Sequence, residues 1–178
     1  MSTLNYFELL DLTTSFEVDL SQLAEQYQTL QKAVHPDRFA HASSQEQLLA
    51  VQKSAQINDA YQTLKDPLKR AEYLLILRGV DMPNEQNTFG DTQFLMRQME
   101  LREMLEDIKH ANDVDGALFA AQEELATESQ GIFALMQQQI HENTPASNQM
   151  ACDNLRKLKF YRKLDIEVER LEDSLFDD

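Results

Sequence analysis

Three consecutive residues concentrate polar chemistry at one point of the first half of the chain: His35, Pro36 and Asp37. An imidazole beside a carboxylate could act as a general base and its orienting partner. That chemistry needs companions, and no nucleophile, phosphate loop or metal motif accompanies the pair. The four histidines are scattered and Cys152 is the single cysteine, so neither a zinc site nor an internal disulfide can be assembled. The same three residues suit docking better. Proline fixes the backbone and removes one N–H, so the imidazole and the carboxylate flank a stiff joint. Pro and Asp in a loop are also ordinary turn chemistry, so the meaning of the tripeptide depends on where the neighbouring elements put it.

Those elements read as helices. Leu4, Tyr6, Phe7, Leu9 and Leu10 form a short aromatic-rich first element, followed by a turn-like stretch from Thr13 to Val18. Asp19, three residues before Gln22, is a capping start, and Leu20, Leu23, Tyr27, Leu30 and Val34 step by 3 and 4 along one helical stripe. Pro36 ends that helix at Val34 or His35. Ser43 with Glu46 opens the next helix as a second capping box, and Leu48, Val51, Ala55, Ile57, Tyr61 and Leu64 are expected to form its broad apolar face, up to Asp66-Pro67. Two long helices joined by a short loop pack as an antiparallel hairpin, which lifts residues 35–42 to an exposed tip. A shorter helix over about 68–78 follows, with Gly79 as its C-terminal cap.

The segment from Gly79 to Asn87, with its Gly, Pro, Asn and Asp, reads as a connection. The expected organisation is residues 1–77, a linker over 78–90, and a second domain over 91–178. That second domain carries three helical patterns, about 91–110, 114–142 and 146–175, with short joints at Asn112-Asp113 and Asn143-Thr144-Pro145. Short joints favour antiparallel neighbours, hence a three-helix bundle. Gly and Pro number only four each and no β-rich run is present, so the chain is expected to be all-α.

The net charge is −15. That disfavours nucleic acid and anionic membrane surfaces, both of which are held by Lys and Arg. The charge is uneven: six Lys/Arg against ten Asp/Glu over 1–77, ten against twenty-one over 78–178, or −4 and −11. A basic partner surface would be favoured by the second half, although solubility alone also accounts for such acidity. The N-terminus has no signal-peptide pattern and no apolar run could cross a bilayer, so a soluble, cytoplasmic protein is expected.

The second-half helix beginning near residue 91 carries a further signal. At about 100° per residue, Phe94, Gln98, Leu101, Leu105 and Ile108 lie within about 40° of one direction, the core stripe. Leu95, Met96 and Met99 fall about 100–200° away, beside Glu103 and Glu106, with Glu100 beyond. Apolar residues off the core stripe and next to carboxylates suggest a binding patch. Packing against another part of the chain would produce the same pattern.

The first half resembles a J domain. Four helices with a His-Pro-Asp loop between the second and third, followed by xxAYxxLxDPxxRxxY, describe that family. The pattern stands here at Ala60-Tyr61, Leu64, Asp66-Pro67, Arg70 and Tyr73. The resemblance implies that the protein is not an enzyme. It implies a co-chaperone that stimulates ATP hydrolysis by a DnaK-type partner through His35, Pro36 and Asp37. J domains usually present a basic second helix. Here Gln26, Gln28, Gln31 and Glu25 take that surface and only Lys32 and Arg38 are positive, which weakens electrostatic steering.

Neither a Gly/Phe-rich linker nor a CxxC zinc module follows. The chain is instead similar along nearly its whole length to the HscB family of bacterial iron–sulfur cluster assembly. That similarity runs through Tyr6-Phe7, residues 35–39, 70–75, 94–103 and 156–160. It implies an HscA-like ATPase chaperone and an IscU-like scaffold as partners, no cofactor and a monomer. By position it implies that Leu95, Met99 and Phe160 form the apolar client surface, which Met96 joins by helical spacing, with Glu100 and Glu103 as acidic neighbours. Met99 stands where Leu is more usual, a swap of similar volume. A J-domain co-chaperone with another client, or a helical adaptor, would share the first half and differ at 94–103 and 156–160.

Overall fold

The structure, a computed structural model, describes residues 3–83 and 90–177. Every regular element among them is helical. The chain divides into two units, Met1–Gly79 and Val80–Asp178. Of the linker expected over 78–90, residues 84–89 lie outside the described residues.

The first unit holds α1 (Tyr6–Leu9), α2 (Leu20–Val34), a 3-10 turn (Pro36–Phe39), α3 (Ser44–Lys65) and α4 (Pro67–Leu77). Local chemistry sets most of these ends. Asn5 accepts from the Glu8 N–H while Glu8 reaches back to the Asn5 N–H, a complete capping box. Asp19 caps α2 through the N–H groups of Ser21 and Gln22. Asp66 caps α4 from immediately before Pro67, which occupies the first helical position, where a missing N–H costs nothing. Gly79 has φ +85°, the left-handed geometry that ends a helix, and its N–H bonds the Ile76 carbonyl at 2.9 Å. At Ser43 half of the expected box forms: the side chain accepts from the Glu46 N–H.

α2 and α3 pack as an antiparallel hairpin. Tyr27 stacks on Tyr61 with ring centroids 4.1 Å apart, and its hydroxyl donates to Asn58. Closer to the tip, Gln31 donates to the Ser54 carbonyl at 3.0 Å and accepts from the Ser54 hydroxyl at 2.8 Å. Gln31, expected on the exposed face, is thus turned into the helix pair. The core of the unit gathers Phe7, Leu10, Leu23, Ile57, Leu64, Leu74 and Leu75, all at most 2% exposed. Each such side chain contributes about 1.5–3 kcal/mol of burial.

Two expected stripes are corrected. On α2 only Leu23 is fully buried, and Leu20 is 55% exposed. On α3, Ala50, Ile57, Ala60 and Leu64 face the core, whereas Leu48 and Val51 are 57% and 50% exposed and Ala55 is exposed too. Leu48, Val51 and Ala55 are spaced as a helical stripe of their own, on the side away from Ile57 and Leu64.

Arg70 is buried at 8% exposure and donates from Nε to the Phe16 carbonyl and from Nη1 to the Leu64 carbonyl, each at 2.7 Å. Its guanidinium also lies over the Phe16 ring. Burial lowers its pKa, opposed by Asp66 and Glu17, and an arginine remains charged regardless. A motif residue is here a staple between the turn before α2 and the end of α3.

The second unit holds α5 (Thr92–Ile108), α6 (Val114–Glu142) and α7 (Pro145–Phe176). Asp91 and Asp113 cap the first two, and Thr144 with Ser147 makes a full capping box on the third, after Asn143 at φ 52° has ended α6. The core joins Phe94, Leu101, Leu105 and Ile108 of α5 to Leu118, Ala121 and Leu125 of α6 and Tyr161, Leu164 and Val168 of α7. The expected α5 core stripe is therefore the buried one, with Gln98 at its half-buried edge.

Candidate functional site

The tip of the hairpin is built from short-range bonds. His35 ends α2 and begins the 3-10 turn, with Pro36 in its first position. The His35 Nδ1 accepts from the Asp37 N–H at 3.2 Å, and the His35 carbonyl accepts from the Arg38 N–H at 3.0 Å. An imidazole accepting at Nδ1 carries its proton at Nε2 when neutral. When protonated it can pair with the Asp37 carboxylate, 3.5 Å away. The side chains of His35 and Asp37 are 54% and 93% exposed, and Lys32 and Arg38 are exposed beside them. Gln47, in the first turn of α3, donates to the carbonyls of Phe39 and Ala40, both at 3.0 Å. That clamp, ten residues from Asp37 and polar, escaped the sequence reading because glutamine there is indistinguishable from a solvated residue.

The second candidate surface lies on α5. Leu95, Met96 and Met99 are 48%, 58% and 67% exposed on a helix whose opposite stripe is fully buried. Glu100 and Glu103 are exposed on the same helix. Beside them runs a shallow groove of about 400 Å³ whose lining mixes the carboxylates Glu100, Glu103 and Asp107 with the apolar Met104, Ile108 and Ala117. Phe160 on α7 is different. It is half-buried, packs edge-on against Phe94 with centroids 5.7 Å apart, and carries the Arg102 guanidinium over its ring at 5.7 Å. It serves the core as well as any surface.

An ionic network backs this face. Arg97 bonds Glu100 at 2.9 Å, Glu124 at 2.5 Å and Glu128 at 2.5 Å. Glu128 also accepts from the Tyr161 hydroxyl at 2.8 Å. Burial, together with that bond, pushes the Tyr161 pKa well above its ordinary value. Arg97 and its α6 partners are 27 and 31 residues apart, a pairing that no helical period reveals. Among the described residues no helix is long and apolar enough to cross a membrane, and no group of three His, Cys, Asp or Glu is placed to hold a metal.

An exposed His-Pro-Asp tip on an antiparallel helix pair is the architecture of a J-domain protein. A DnaJ-domain family model matches residues 5–73, and a model described as the HSCB C-terminal oligomerisation domain matches 90–169. The chain belongs to the HscB co-chaperone family. It is 68% identical to a co-chaperone protein HscB homolog of Colwellia psychrerythraea, over 98% of this chain and all of that one. The chaperone HscB structure from Vibrio cholerae superimposes with a TM-score of 0.92 at 50% identity, covering 97% of this chain and all of that one. Human co-chaperone HscB gives 0.86 at 29% identity, covering 96% and 83%.

Proposed function

We propose that this co-chaperone stimulates ATP hydrolysis by a DnaK-type, HscA-like chaperone through His35, Pro36 and Asp37, and delivers to it an IscU-like iron–sulfur scaffold held on α5. One observation carries the reading: the His-Pro-Asp turn of a J domain stands exposed and is stiffened from three sides, by Pro36, by the His35 Nδ1 bond and by the Gln47 clamp. A preorganised loop loses little conformational freedom on docking. Lys32 and Arg38 add the positive charge available near it.

The protein does no chemistry of its own in this reading. It binds the chaperone in the conformation competent for hydrolysis and shifts the population toward it. The client end rests on Leu95, Met96 and Met99 as apolar anchors, with Phe160 behind them and Glu100 and Glu103 as partners for basic residues. Exposed apolar side chains ringed by carboxylates fit a partner whose contact face is apolar at the centre and basic at the rim. No cofactor is required, and the reading places the protein in the cytoplasm as a monomer. The mass in solution tests that last point against the oligomerisation that the C-terminal family description names.

The two ends are separable by experiment. His35→Gln should abolish stimulation of the chaperone ATPase and leave scaffold binding intact. Leu95→Ala with Phe160→Ala should do the reverse. One phenotype for both variants would refute the two-site reading. A pull-down that recovers the chaperone with a different client would replace the scaffold assignment alone.

A further inference from the structure

Both arginines of α5 are engaged: Arg102 pairs with Glu167 on α7 at 3.1 Å, and Arg97 turns toward α6. Arg97 is 29% exposed and meets three carboxylates: Glu100 on its own helix, and Glu124 and Glu128 on α6. Glu128 is in turn held by the buried Tyr161. The guanidinium is thus anchored on the α6 side through both Nε and Nη2, and reaches Glu100 through Nη1. Glu100 is the most exposed of the three, at 59%. Glu103, about one turn on, makes no ion pair with any described residue.

We propose that Arg97 is a specificity-determining residue of the α5 face: it holds Glu100 in an internal pair, so that a basic partner finds Glu103 free and gains Glu100 only by taking it from Arg97. The exchange is feasible because Glu124 and Glu128 keep Arg97 neutralised after Glu100 has left. One guanidinium among three carboxylates still leaves an excess of negative charge, so the face attracts cations at a distance while discounting the contribution of one carboxylate at contact. A partner with a single suitably placed cation is served by Glu103. A second cation is rewarded only in part. This inference rests on the client-binding reading of α5.

The test is an equilibrium titration of an IscU-like scaffold onto the full chain at low ionic strength. Glu100→Gln and Glu103→Gln are each made in the natural background and in Arg97→Met, which keeps the stem and loses the fork. Glu103→Gln should weaken binding more than Glu100→Gln in the natural background. Arg97→Met should tighten binding about two- to fivefold, the range expected for release of an exposed pair. In that background Glu100→Gln should cost as much as Glu103→Gln. Raising the salt should erase these differences. Arg97→Met leaves Glu124 and Glu128 facing each other, so Arg97→Met with Glu124→Gln provides a second background in which the same equalisation is expected. An unchanged Glu100→Gln effect in both backgrounds, with binding still dependent on Leu95 and Met99, overturns the inference alone. Binding indifferent to Leu95 and Met99 overturns the reading of α5, and the inference with it.

Discussion

Truncating Leu95 and Met99 to alanine together removes two of the three exposed apolar side chains of α5. Met99 is 67% exposed and Leu95 48% exposed, so most of one and half of the other remain to be covered by a partner. Covering a whole Leu or Met side chain is worth about 1.5–3 kcal/mol. Two-thirds of that for Met99 gives about 1–2 kcal/mol, and half for Leu95 about 0.7–1.5 kcal/mol. Alanine keeps roughly a third of this area, so the pair should lose about 1–2 kcal/mol, or roughly 5- to 30-fold in Kd. Calorimetric titration of an IscU-like scaffold measures that loss. Stimulation of the chaperone ATPase in the absence of client should stay at the natural level, since the J-domain tip is untouched. The melting temperature should hardly move, because neither side chain belongs to the core. A Kd within twofold of the natural protein would refute the area reasoning, and a parallel fall in client-free ATPase stimulation would refute the separation of the two ends. Phe160 is the poorer probe. Its edge-on contact with Phe94 means that its truncation also loosens the core, and a loss of binding would then have two causes.

Two further outcomes follow from buried polar groups. Arg70→Met should destabilise the first unit by about 2–4 kcal/mol, since it strips the Phe16 and Leu64 carbonyls of a charged donor, and Arg70→Lys should recover little because an ammonium cannot reproduce the fork; urea unfolding of the full chain reads this, and a midpoint unchanged for both variants would contradict it. The Tyr161 pKa is raised above its ordinary value of 10.0 by burial and then by Glu128, so the folded state keeps a proton that the unfolded chain releases. Its contribution to stability is complete below about pH 10 and is lost as the pH climbs above that value; Tyr161→Phe should flatten the fall in melting temperature between pH 9 and 11, and an equal slope in both proteins would refute the assignment to Tyr161 and turn attention to Tyr73, whose pKa is also raised.

The helices and their limits are legible in the order of the residues alone. The devices that end them act within one turn of the chain: Pro36, Pro67 and Pro145 remove an N–H in place, Gly79 and Asn143 adopt left-handed backbone, and Asn5, Asp19, Ser43 and Asp66 supply a carboxylate, amide or hydroxyl to the nearest free N–H groups. The same order also marks Leu95, Met96 and Met99 as lying off the α5 core stripe, because a helix of regular period sorts its faces without knowing its neighbours. What tertiary structure alone decided is which groups meet across helices. Leu48 and Val51 are as apolar as Ile57, yet the core forms on the other side of α3, around Ile57 and Leu64, and leaves them half-exposed. Gln31 turns inward because Ser54 stands opposite, and Gln47 clamps the tip because the 3-10 turn offers two carbonyls. Arg97 engages α6 because Glu124 and Glu128 stack one turn apart there. Polar residues on a helix surface carry no period that distinguishes a solvated side chain from a bonded one. Their partners are set by the packing of elements remote in the chain, and only the folded arrangement supplies that.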